Sequence, residues 1–176
     1  MHASRPSPTE YAPYFERYVS LVAEEDFVSL FSQQPSELHA RLVPLSLERA
    51  SFRYAPGKWS IREVVGHIID AERVCAYRAL CIARGEATSL PSFDENAYAA
   101  LAEHELCSLL ELLDEFALAR RSHVAMFRHL GPAAWERRGV VNQNSTSVRA
   151  LAYIMAGHAH HHARILDERY AAAFAS

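Results

Sequence analysis

Four long segments of this chain repeat their apolar residues at the spacing of one helix face, and this pattern constrains the fold most. In the second segment, Ile61, Val64 and Ile68 follow intervals of three and four residues, which bring side chains to one side of an α-helix. No segment combines apolar-polar alternation with hairpin turns, so strands are not expected. Helices with one apolar face bury that face against each other. The sequence therefore predicts an all-α protein with a four-helix bundle.

Turn and capping residues give the expected ends of these helices. Pro35 suits a helix start, and Ser60 followed by Glu63 is a capping-box pattern. The predicted helices run from Pro35 to about Arg49, from Ser60 to Arg84, from Asn96 to Leu130, and from Thr146 or Ser147 to about Ala172. Residues 139–145 are polar and are expected to form a loop. The long connections at residues 85–95 and 131–146 indicate that the helices need not follow a simple up-down-up-down order.

The N-terminal part of the chain lies outside the four-helix pattern. Residues 1–13 contain Pro6, Pro8 and Pro13 and are expected to be a loose leader, followed by an extra helical segment from Tyr14 to Ala23. We therefore divide the chain into an N-terminal extension, residues 1–34, and a helical bundle, residues 35–174.

Charge and composition exclude two classes of partner. Lys and Arg number 18 and Asp and Glu number 21, which gives a formal net charge of -3 with no basic block, so nucleic acid is not an expected partner. No apolar run approaches the ~20 residues of a membrane span, and no signal peptide is evident. The three cysteines have no CxxC spacing and are expected to be reduced. We expect a cytoplasmic protein.

Histidine is the residue type that indicates chemistry. The chain has ten histidines, and four of them lie within residues 158–162. His158 and His162 are four residues apart on the last predicted helix and therefore share a face. His67 shares a face with Val64 and Ala71 on the second helix. Both faces also carry the apolar side chains that are expected to line the bundle interior.

A divalent metal ion would explain three imidazoles in a helical core. A buried neutral imidazole loses free energy when its nitrogens have no partner, and a metal ion accepts one of them. A set of His67, His158 and His162 would leave coordination positions open, as in catalytic zinc sites. Two simpler readings remain open, because an HxxxH pair also occurs on solvated helices and a lone core histidine is often satisfied by hydrogen bonds. His161 is a possible further ligand or a residue that supports one. The remaining histidines are assigned no partner, and His160 is expected at the surface.

Several motifs together resemble one family. Residues 57–63, 66–73 and 156–162, with similar patterns at residues 77–85 and 90–94, resemble the DinB/YfiT-like family of proposed metalloenzymes. The resemblance covers most of the chain after about residue 35. It implies a four-helix bundle with a permuted connection order, often in a homodimer, and a nickel or zinc ion held by one histidine of the second helix and two of the last. Here those positions are His67, His158 and His162.

The resemblance also implies classes of activity, since some relatives are transferases or isomerases that use low-molecular-weight thiols. One hypothesis is a metal-dependent enzyme, a thiol transferase or a hydrolase of a small-molecule substrate. Arg78 and Arg169 lie on the ligand-bearing faces and are candidates for binding an anionic substrate group. Glu63 and Asp70 flank His67, where ordinary ion pairs are the expected role. The alternative is a non-catalytic bundle, either stabilised by metal or acting as a stress-related interaction module.

Overall fold

The computed structural model describes residues 4–23 and 27–174, which are mostly helical. The helices are α1 (Glu16–Val19), α2 (Phe27–Leu42), α3 (Leu47–Ala50), α4 (Ile61–Ala83), α5 (Glu95–Leu101), α6 (Leu109–Arg128), α7 (Pro132–Glu136), α8 (Val148–Arg169) and α9 (Ala171–Phe174). Short 3₁₀ turns occur at Pro8–Glu10, Pro13–Phe15 and His104–Leu106. Two strands, β1 (Arg138–Val141) and β2 (Asn144–Ser147), form a hairpin.

The four long helices form a bundle in which two of the three consecutive pairs, α2 with α4 and α6 with α8, are not neighbours. Helix α2 packs against α6 and α8, and α4 packs against the same two helices. The chain therefore places α2 diagonally across from α4, and α6 diagonally across from α8. In an up-down-up-down bundle, consecutive helices would instead be adjacent. The predicted four-helix bundle is confirmed, and its connection order is permuted.

Two of the predicted helix starts are confirmed by their caps. At α4, the Ser60 hydroxyl accepts from the Glu63 amide at 3.2 Å, and the Glu63 carboxylate accepts from the Ser60 amide at 2.7 Å. At α8, the Ser147 hydroxyl accepts from the Ala150 amide at 3.0 Å. These bonds satisfy amides that have no partner within the helix. They fix the start of both helices that carry the candidate ligands.

The predicted single helix from Asn96 to Leu130 is wrong, because the chain breaks it into two. Asp94 caps α5, which ends at Leu101, and Glu103 then adopts a left-handed backbone with φ of 53°. A left-handed residue ends an α-helix. The chain starts again at α6, where Ser108 and Glu111 form a second capping box.

The predicted loop at residues 139–145 is instead part of the β1–β2 hairpin. Asn142 and Gln143 form its two-residue turn, with φ of 46° and 64°, a conformation that suits the twist of paired strands. The Leu90 amide donates to the Val140 carbonyl, and the Asn142 amide donates to the Leu90 carbonyl, both at 2.9 Å. The hairpin therefore holds the α4–α5 connection beside the bundle.

The N-terminal part differs from prediction in two respects. Residues 4–13 are not a loose leader: Glu10 is buried and accepts hydrogen bonds from the Arg149 guanidinium at 2.7 Å and 2.6 Å. The extra helix is shorter than predicted, since α1 ends at Val19; residues 24–26 lie outside the described part. Helix α2 begins at Phe27, so Pro35 lies inside it instead of opening it. The division into residues 1–34 and 35–174 stays a prediction.

A buried polar network joins the four bundle helices. Arg120 of α6 donates to both carboxylate oxygens of Glu72 on α4 at 2.5 Å and 2.6 Å, and also to Gln34 of α2 at 2.7 Å. Gln34 donates in turn to the Ala156 carbonyl of α8 at 2.7 Å. Burial alone would raise the pKa of Glu72, but the charge of Arg120 and the hydrogen bond from His123 hold it below its ordinary value.

We expect Arg120→Met to destabilise the protein by about 3–5 kcal/mol, because it leaves the Glu72 carboxylate buried without its cation. Urea unfolding followed by circular dichroism measures this. Replacing Glu72 and Arg120 together by Met should recover part of the loss. Arg121→Met, at the neighbouring exposed position, should change the free energy of unfolding by less than about 0.5 kcal/mol. An Arg120→Met variant as stable as Arg121→Met would contradict this role for the network.

Candidate metal centre

Three imidazoles converge at the contact between α4 and α8. The Nε2 atom of His158 lies 3.0 Å from Nε2 of His67 and 3.1 Å from Nε2 of His162. The candidate ligand atoms of all three residues lie within 4.8 Å of one another, and the three residues are buried. The structure thus brings together the three histidines that the sequence predicted.

The donor set fits a divalent ion. Two nitrogen ligands at about 2.05 Å from a tetrahedral ion would be about 3.3 Å apart, close to the spacing found here. A hydrogen bond between two Nε2 atoms uses one proton, so one nitrogen must donate and the other must accept. A cation can instead accept the lone pair of every one of these nitrogens. The facing sides of α4 and α8 therefore form a cluster of nitrogen donors that suits a metal ion.

The protonation state of the three histidines also supports a metal site. Burial, followed by the charge of nearby His104, lowers the pKa of His67 to about 4. Burial also lowers the pKa values of His158 and His162 well below the ordinary value, and the neighbouring histidines add to the effect. All three side chains are thus neutral at pH 7, with a lone pair free for a metal ion.

Aromatic side chains surround the three imidazoles. The centre of the Trp59 ring lies 4.7 Å from that of His67, and Tyr18 of α1 meets His158 edge-on at 5.2 Å. Gly157 allows this close approach of α1, because a Cβ atom there would overlap the Tyr18 carbonyl oxygen. The N-terminal segment therefore forms one wall of the site.

One carboxylate lies at the rim of the cluster. Glu95, the first residue of α5, places Oε2 4.0 Å from Nε2 of His67, and its side chain is 45% exposed. This separation is too long for a hydrogen bond and leaves space for another atom between the two groups. The Asp94 cap and the hairpin contact at Leu90 hold the start of α5 in this position.

Cavities reach the cluster from two sides. One, of about 60 Å³, adjoins His158 and is lined by Tyr18, Glu95 and Arg78. A wider cavity of about 390 Å³ shares Glu95 and Arg78 with it. Another, of about 250 Å³, adjoins His162 and is lined by Lys58 and Asn96 among others. Cavities therefore adjoin the cluster at both His158 and His162.

The other predicted site residues fall in different places. Arg78 is buried beside the His158 cavity, whereas Arg169 is exposed and lies over the Tyr54 ring. Glu63 has the expected structural role, as part of the α4 cap and in an ion pair with Arg53. His161 is half-buried, and its ring lies 5.3 Å from that of His162, outside the three-histidine cluster. The roles of Arg78 and Arg169 stay predictions.

Sequence reasoning missed several residues around the cluster. His123 was assigned no partner, but its Nδ1 lies 3.0 Å from the Glu72 carboxylate. His104 was also treated as background, yet its ring packs where a side chain on Gly66 would be. Glu95 falls at the end of the connection predicted for residues 85–95, but it is the first residue of α5. The glycine directly before His67 was the available signal for His104, whereas the other two contacts depend on distant parts of the chain.

The fold and the site define a class: helical-bundle proteins with a candidate three-histidine metal site between two helices. The model of the DinB superfamily matches residues 30–166. The chain belongs to the DinB superfamily. No curated protein gives a significant match.

A solved structure has the same fold. It is described as "YfiT from Bacillus subtilis is a probable metal-dependent hydrolase with an unusual four-helix bundle topology"; it is 18% identical to this chain, covers 95% of both chains and has a TM-score of 0.78. This confirms the predicted DinB/YfiT-like connection order.

Among residues 4–23 and 27–174, no helix has the length and apolar character needed to cross a membrane.

We expect the metal-free protein to lose stability as the pH falls from about 6.5 to 4. The unfolded chain takes up a proton on His67 near pH 6.5, whereas the folded chain does so only near pH 4. Since the unfolded state binds more protons in this window, acid favours unfolding. The contribution of His67 alone is roughly 3 kcal/mol.

Urea unfolding of chelator-treated parent and His67→Gln at pH 7, 5.5 and 4 measures this contribution together with the effect of His67 on the pKa values of His158 and His162. The stability of the parent relative to the variant should fall as the pH is lowered. A difference that stays constant from pH 7 to 4 would show that His67 is not buried in its neutral form.

Proposed function

We propose that this protein is a metal-dependent hydrolase of a small-molecule substrate. The observation that carries the proposal is the convergence of three neutral imidazoles beside an open cavity, with the Glu95 carboxylate at its rim. Three protein ligands with an accessible remaining side are the arrangement of catalytic sites, whereas structural zinc sites use four. The imidazole donors suit zinc or nickel.

A divalent ion at the three histidines would supply Lewis-acid chemistry, polarising a substrate carbonyl and making water a stronger acid. Glu95 is placed to accept the proton that the attacking water loses, because its Oε2 faces the same space as Nε2 of His67. The water oxygen bonds to the carbonyl carbon, and the bond to the alcohol or amine breaks. The proton then passes from Glu95 to that leaving group.

The surrounding side chains orient the reacting groups. Trp59 packs against the His67 ring and Tyr18 against the His158 ring, so neither imidazole can turn freely. The network of Arg120, Glu72 and Gln34 fixes α4 and α8 relative to each other. It reaches α8 at the Ala156 carbonyl, two residues before His158. Held in this way, the ligand atoms need little rearrangement during the reaction.

The similarity to YfiT supports the choice of hydrolysis, since that protein is described as a probable metal-dependent hydrolase. Transfer to a low-molecular-weight thiol and assembly into a homodimer rest on the sequence resemblance alone and stay predictions. The non-catalytic alternative is less favoured, because a purely structural metal site does not require the cavities that adjoin His158 and His162.

We expect zinc-loaded protein to hydrolyse 4-nitrophenyl acetate, and Glu95→Gln to lower kcat/KM about 100-fold while metal content is unchanged, because the proton acceptor is lost. Release of 4-nitrophenolate measures the rate. Glu37→Gln, which changes an exposed carboxylate on α2, is the matched control and should keep the parent rate.

Two results would contradict this proposal. The first is hydrolysis by the parent that is no faster than hydrolysis by His158→Ala. The second uses cysteine as a competing nucleophile. If the protein accelerates acetyl transfer to the thiol above the uncatalysed rate, and does so in place of transfer to water, it is a thiol transferase and not a hydrolase.

A further inference from the structure

Arg78 carries a buried positive charge that forms no ion pair with an acidic side chain in residues 4–23 and 27–174. Its side chain on α4 is only 6% exposed. The Nη2 atom donates to the Pro91 carbonyl oxygen at 2.6 Å, and the guanidinium carbon lies 5.7 Å from the centre of the Phe93 ring. Both contacts are with uncharged groups. They hold the guanidinium in place, and neither of them supplies a negative charge.

The other buried arginines in the described part of the chain each meet a carboxylate. Arg62 lies 2.6 Å from Glu105, and Arg120 makes two bonds to Glu72. Removing a guanidinium from water is unfavourable unless an anion compensates. Within residues 4–23 and 27–174, no ion pair joins Arg78 to an acidic side chain. An anion from outside the chain would supply the missing partner.

The position of Arg78 connects this charge to the metal centre. Arg78 lines the cavity of about 60 Å³ that adjoins His158, and also the wider cavity of about 390 Å³. His67 and Arg78 are eleven residues apart on α4, which is about 16 Å along the helix axis. Phe15 and Met155 line the smaller cavity together with His158. A passage that is mostly apolar, with the Glu95 carboxylate in its wall, therefore connects the imidazoles to the guanidinium.

We propose that the hydrolase substrate is an elongated monocarboxylic acid, with its carboxylate on Arg78 and its ester or amide bond next to His158. This inference rests on the proposed function for the bond that is broken, but not for the anion site. A carboxylate matches the planar fork of a guanidinium. The Glu95 carboxylate lines the same cavities and disfavours a second negative charge. The middle of the substrate is apolar or aromatic, to match the passage.

Binding of a non-hydrolysable pair of probes tests the anion site without turnover. Isothermal titration compares 4-phenylbutanoate with 4-phenylbutan-1-ol, which has a similar length and no charge. We expect the parent to bind the carboxylate at least tenfold more tightly. Arg78→Met should abolish this preference and leave the affinity for the alcohol within about twofold. Arg121→Met, which removes an exposed arginine, should keep the preference.

The same titrations on chelator-treated protein separate Arg78 from the metal ion, because a carboxylate can also bind a metal directly. The preference should persist without metal. Its disappearance on chelation, its absence in the parent, or its persistence in Arg78→Met would each overturn the proposal.

A folding defect in Arg78→Met is detected by circular dichroism, and Arg78→Lys then takes its place. The lysine keeps the charge but not the planar fork, so only the affinity for the carboxylate should fall; an equal fall for both probes would overturn the proposal. Since these experiments need no reaction, an absence of hydrolysis would contradict the proposed function and leave the anion site standing.

Discussion

The packing of α4 against α8 is the constraint on which the rest of this structure depends, because it buries three imidazoles with their rings edge-on to one another. Neutral imidazoles are tolerated in a core only where their nitrogens have partners. The Nε2 atoms of His67, His158 and His162 point at one another, so the partner has to be shared. The permuted helix order serves this packing by making α4 and α8 neighbours although α6 lies between them in sequence.

A second polar cluster helps to keep these two helices in register. Arg120 reaches Glu72 of α4 directly and reaches α8 through Gln34. Removing one partner of a buried ion pair destabilises a protein more than replacing both partners with apolar residues. The Arg120–Glu72 pair therefore contributes less to net stability than to fixing the positions of the helices. The N-terminal segment contributes from outside the bundle: its Glu10–Arg149 pair anchors it, and Tyr18 reaches His158.

Local signals in the sequence predicted the features that depend on them. The apolar spacing and the Ser60–Glu63 pattern gave α4, and the face analysis gave the three histidines. Features that depend on distant contacts were not predicted. The Ser108–Glu111 capping box was hidden inside a longer apolar pattern, and the hairpin turn uses Asn142 and Gln143 without glycine. Likewise, nothing local indicates that Glu95 meets His67 or that Arg120 meets Glu72.

The central claim is that His67, His158 and His162 hold one divalent ion, and metal content measures this most directly. The protein would be produced without an affinity tag, freed of loosely held metal and analysed by elemental mass spectrometry beside His67→Ala, His158→Ala and His160→Ala. We predict about one equivalent of metal per chain in the parent and in His160→Ala, since His160 is outside the cluster, and little in the other two variants. A parent that takes up no divalent ion, or a His67→Ala variant that keeps the full amount, would contradict the claim.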